Sequence, residues 1–114
     1  MLEGIYEVTF YQSSDRQADY GNGIVTIKDG AMNGGDEGYI YSGKLTESDN
    51  RVTGRLAVSK WSQASASVFY GLDNYELDFT GDRGDGDSLD GWATVVGALG
   101  KTLFISAHRI GDAA

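Results

Sequence analysis

An all-β fold, an antiparallel up-and-down (lipocalin-like) barrel of about eight strands with at most a short helical turn, is what this sequence predicts. Three observations carry the prediction. Apolar and polar residues alternate along the chain, turn signals recur about every 8 to 12 residues, and no window sustains the three-to-four spacing of a long helix.

Each row of alternation reads as one half-buried strand, because successive side chains leave a strand on opposite faces. Tyr6, Val8 and Phe10 against Glu7 and Thr9 form the first row, and Val25 and Ile27 against Thr26 and Lys28 the second. Asp29-Gly30 then turns the chain, since a type I′ hairpin needs positive φ at both central positions. Ala31 to Asn33 makes a very short strand, and Gly34-Gly35 is read as a barrel corner before Gly38. Tyr39, Tyr41 and Leu45 follow, ending at a longer hairpin loop, Glu47-Ser48-Asp49-Asn50. Val52, Leu56 and Val58 alternate with Thr53, Arg55 and Ser59. Ser62 to Leu72 lacks alternation and is the place for a helical turn. Tyr75, Leu77 and Phe79 against Glu76, Asp78 and Thr80 give the cleanest row, turned by Gly81 to Gly86. Ala93 and Val95, a turn at Gly97 to Gly100, and Leu103, Ile105 and Ala107 complete the set. Consecutive hairpins close most economically into a barrel, which removes exposed edges.

The 114 residues make one domain, 1–114, able to bury roughly two thirds of the unfolded surface. Seventeen glycines and no proline imply loops that take positive φ from Gly, Asn and Asp. Without cysteine there is no disulfide and no thiolate chemistry. No apolar run approaches the ~20 residues of a membrane span, and no charged-then-apolar leader precedes Gly4. The expectation is therefore a cytoplasmic protein without a membrane partner. Seventeen acids against nine basic residues give a net charge of −8. Such a surface repels phosphate backbones, so no direct nucleic-acid contact is expected. Any role in gene expression would run through another protein.

Two glycine-acid clusters could be mistaken for ligand loops. Lys28 to Gly43 (KDGAMNGGDEGYIYSG) lacks the following helix and the lysine that a phosphate loop requires. In Gly81 to Ser88, a calcium hand begun at Asp85 finds Asp87 third, but Leu89 fifth and Val96 twelfth. Both read as turns, and Arg83-Gly84-Asp85, a tripeptide read by cell-surface receptors, as coincidence. A nucleophile would have to be Ser or Thr paired with the single histidine, His108, outside any G-x-S-x-G elbow. One histidine makes no zinc site. No catalytic residue, metal or cofactor is expected, and the protein is read as a non-enzyme.

The aromatics say more. Tyr6, Val8, Phe10, Tyr39, Tyr41, Tyr75, Leu77 and Phe79 share the inward phase. An eight-stranded barrel is just wide enough to be filled by such side chains or to hold one small ligand. Trp61 and Trp92 fall on the opposite phase from Val58 and Ala93, which makes them candidates for an exposed interface.

Several phrases carry a resemblance. Gly4-Ile5-Tyr6-x-Val8-x-Phe10 opens the chain and Gly21-x-Gly23-Ile24 leads into the second row. Asp29-Gly30-x-Met32-x-Gly34-Gly35-Asp36 precedes Tyr41-x-Gly43, and Ser67-Val68-Phe69 precedes Tyr75-x-Leu77. In content and order these resemble the GrlR-like family, over Gly4 to about Ile110. The resemblance implies a lipocalin-like barrel, a homodimer, a hydrophobic cavity, and an anti-activator that binds and disables a DNA-binding activator of type III secretion genes, a partner that the acidic surface here suits if it is basic. It also implies a partner contact at a loop of four acids, of which the matching stretch here keeps Glu47 and Asp49. The alternative function is a barrel that binds a hydrophobic small molecule or lipid.

Overall fold

The computed structural model describes residues 2–11, 19–62, 73–84, 87–98 and 100–114. Eight strands follow one another: β1 (Gly4–Tyr11), β2 (Asp19–Lys28), β3 (Ala31–Gly35), β4 (Tyr39–Ser48), β5 (Arg51–Lys60), β6 (Asn74–Arg83), β7 (Ser88–Val95) and β8 (Thr102–Gly111). Each pairs antiparallel with the next, and β1 pairs with β8 to close the barrel. The proposed helical turn over Ser62 to Leu72, and the Ser67-Val68-Phe69 phrase, fall mostly outside the described residues, as do Asp85 and Gly86.

Alternation explains the placement of the core. Tyr6, Val25, Ile27, Leu56, Val58, Leu77, Phe79 and Leu103 are all buried, and no polar or charged residue among those described is buried with them. Outward positions carry Glu7, Lys44, Arg55, Asp78, Asp82 and Asp90. This apolar inside and polar outside reverses the arrangement of a barrel that faces lipid. No helix of the described residues is long and apolar enough to cross a membrane.

The Asp29-Gly30 turn is as read from sequence: φ is 54° at Asp29 and 78° at Gly30, the type I′ requirement. Gly34 and Gly35 are not a corner. Both lie in β3, paired with Val25 and Ile24 on one side and Tyr41 and Ile40 on the other, and neither has positive φ. The chain turns instead at Asp36–Gly38, where Asp36 Oδ1 accepts the backbone N–H of Gly38 (2.9 Å) and Tyr39 (2.8 Å). An aspartate side chain mimicking a backbone turn does what the glycines were expected to do. Gly81 likewise belongs to β6, opposite Gly91 of β7.

What most of these glycines supply is space within the sheet, not loop freedom. In register, Gly34 stands between Val25 and Tyr41, Gly43 between Met32 and Leu56, and Gly54 between Leu45 and Phe79. Small and large inward positions thus interleave around the barrel, which is how a narrow barrel fills its interior.

Candidate functional site: the barrel interior and its ends

All eight inward residues named from the sequence line one interior space, an apolar cavity of about 90 Å³. Phe10 and Tyr41 meet edge to face across it, with ring centroids 5.5 Å apart and planes at 71°. Strand direction defines two ends. The turns β2–β3, β4–β5 and β6–β7 share one end with both chain termini, and β3–β4 and β7–β8 lie at the other.

The first end is plugged. Leu2 is buried in the core, and Arg83 donates to the Glu47 carboxylate. Both side chains continue the inward phase of their strands, Glu47 after Leu45 and Arg83 after Phe79 and Gly81. Val52 of β5, which is fully buried, stands opposite Glu47 on one side and Gly81, two positions before Arg83, on the other. Burial raises the Tyr6 phenol, against the opposing pull of Arg83 and Arg109. Outside this plug the turns are acidic: Asp29, Asp49 and Asp87 are all exposed.

The second end carries the cavity's one charged lining residue among those described, Asp36. Its Oδ2 accepts the Tyr41 hydroxyl, and its backbone oxygen accepts Trp61 Nε1–H at 3.1 Å. Burial first, then the hydrogen bond to Asp36, raises the Tyr41 phenol far above its ordinary value. Tyr39, two positions away, has a buried hydroxyl with no partner among the described residues.

The named partner-contact acids do not share a hairpin tip. The β4–β5 turn is only Asp49-Asn50, with Ser48 paired to Arg51; Asp49 takes φ 55°. Glu47 sits inside β4 opposite Val52, its side chain 27 % exposed and engaged by Arg83. A two-residue turn is enough because left-handed φ at its first position suits the strand twist. Trp61 and Trp92 are exposed, at 57 % and 41 %, but do not share a patch. Trp92 aligns through Thr80 with Thr53, and Trp61, just past the end of β5, lies about 26 Å further along at strand rise. Trp92 has other company: Phe104 stands opposite it, and Tyr11 opposite Phe104, an outward aromatic row across β7, β8 and β1.

Asp36, the Glu47–Arg83 pair and the Phe104–Tyr11 row escaped sequence reasoning. The phase of each was readable; its neighbour across the sheet was not. Among the described residues no three His, Asp or Glu side chains cluster as a metal site. His108 is exposed on the outer wall, with Nε2 3.2 Å from Glu7 Oε1.

A family model described as GrlR, the type III secretion system negative regulator, matches residues 1–113. No curated protein matches the chain.

Proposed function

Since the chain belongs to the GrlR family of type III secretion negative regulators, we propose that it works without catalysis, in the cytoplasm, by binding and disabling a basic DNA-binding activator. The observation that carries this reading is the acidic end of the barrel, where Asp29, Asp49 and Asp87 project from successive turns of a chain with net charge −8. Charges held out on turns steer a basic partner and raise its association rate more than its final affinity. Glu47 contributes to this field while its carboxylate is held by Arg83, so Asp49 is the better contact. The outward row of Trp92, Phe104 and Tyr11 supports a homodimer, because aromatic clusters of this kind are enriched at interfaces.

A type III secretion promoter reporter tests the regulatory reading. Expression of the protein should lower the reporter. Asp49→Asn with Asp87→Asn removes two charges while Asn still tolerates left-handed φ; it should slow association with the activator and weaken repression at unchanged stability. A promoter indifferent to the protein would sink the reading. An association rate insensitive to both salt and the substitutions would sink the acidic contact.

The cavity supports a second reading, a binding site for a hydrophobic small molecule. A dry apolar cavity is a binding site in its own right, as one of ~150 Å³ that takes up benzene shows.

A further inference from the structure

The cavity wall holds an unmade hydrogen bond. Tyr39 is 7 % exposed and lines the cavity, and its hydroxyl is the buried side-chain polar atom left without a partner among the described residues. Such groups are ordinarily paired, because leaving one unpaired costs free energy. A lone water is a poor partner, since it needs two or more polar contacts of its own. The charged side chain on the cavity wall is already committed, with Asp36 accepting from Gly38 N–H, Tyr39 N–H and the Tyr41 hydroxyl.

From this juxtaposition we infer that the cavity takes a small neutral ligand bearing a carbonyl-type acceptor, a ketone, ester or tertiary amide, to which the Tyr39 hydroxyl donates. The inference rests on the ligand-binding reading above and adds the head group. A carbonyl brings one accepting atom and no proton in need of its own acceptor, whereas an alcohol would bring both. An anion does not suit the site. Asp36 is its one charged lining residue among those described, so a carboxylate would be buried beside like charge with no cation. Size bounds the ligand too: about 90 Å³ falls below the roughly 300–1,000 Å³ of drug-sized pockets. The buried part is at most a ring or branched chain of about benzene size.

The test titrates cyclohexanone, methylcyclohexane and cyclopentanecarboxylate into the protein and into Tyr39→Phe, following the aromatic ring resonances by NMR. Methylcyclohexane should bind both proteins alike. Cyclohexanone should lose about tenfold in affinity in the variant, the worth of one hydrogen bond, and the carboxylate should bind neither. Comparing the two neutral probes across the two proteins isolates the hydroxyl from the cost of desolvating the ketone. Unchanged cyclohexanone affinity in Tyr39→Phe overturns the Tyr39 role and leaves an apolar ligand site standing. Carboxylate binding overturns the neutral head group. Failure of all three probes removes the ligand reading itself.

Discussion

Tyr39 and Tyr41 stand two positions apart on β4, both turned into the barrel, with opposite fates for their hydroxyls. The Tyr41 hydroxyl is bonded to a carboxylate that also organises the β3–β4 turn. Tyr41→Phe should therefore destabilise by about 1.5–3 kcal/mol, the range for a hydrogen bond to a charged group. Tyr39→Phe removes a buried hydroxyl that has no partner among the described residues and should leave stability unchanged or raise it by about 1 kcal/mol. Urea midpoints of the two variants distinguish the cases, and equal losses would contradict both assignments. Alkali supplies a second check. The Tyr41 phenol is raised by burial and by Asp36, and the Tyr6 phenol chiefly by burial. Unfolded phenols release their protons near pH 10, while the folded ones retain theirs. Stability should hold in full below about pH 10 and fall as pH rises beyond it, because the native state then binds more protons than the unfolded one. In Tyr41→Phe the fall should be shallower. Unfolding free energies measured between about pH 9 and pH 11 would show it.

Element by element, the strands were legible because period two is a local property, visible in Tyr75, Leu77 and Phe79 without knowing what lies beside them. The glycines were not legible, because their purpose depends on register. Gly34 reads as a turn residue until Val25 and Tyr41 are seen on either side of it. A Cβ built there would lie 2.5 Å from Val25 Cα, and one on Gly35 2.5 Å from the Tyr39 carbonyl oxygen. Gly34→Ala should accordingly cost more than the ~1 kcal/mol that favours alanine over glycine in a regular element, because backbone must move to admit the methyl group. A denaturation midpoint equal to or above the wild type would show that the strands can separate there at no cost. The same reasoning covers what was missed in the site. Glu47 and Arg83 each extend an inward row, yet a charged residue at a strand end reads as the onset of a turn. Only the pairing of both strands with β5 brings the two side chains together over Val52.

At the scale of the whole molecule, the barrel has an acidic, plugged end and an end where Asp36 meets the cavity, and between them an aromatic row on the outer wall. If two copies join through Trp92, Phe104 and Tyr11, Trp92→Ser should convert a dimer to a monomer in sedimentation velocity, with little change in the denaturation midpoint. A wild-type protein that sediments as a monomer at tens of micromolar would exclude that dimer. The outward salt bridges Arg51–Asp82 and Arg55–Asp78 join β5 to β6; being more than half exposed, they contribute little to stability. The closure of the sheet has a consequence of its own. Every pairing but one joins neighbours in sequence, so each can form as a local hairpin, whereas β1 must find β8 across nearly the whole chain. Local pairs form first and the long loop closes last. Until it closes, the curled sheet has two bare edges, one on each terminal strand. In dilute solution each edge meets its own partner. In crowded refolding, the β1 of one molecule can zip onto the β8 of another, giving exchanged pairs with every native contact and the wrong connectivity.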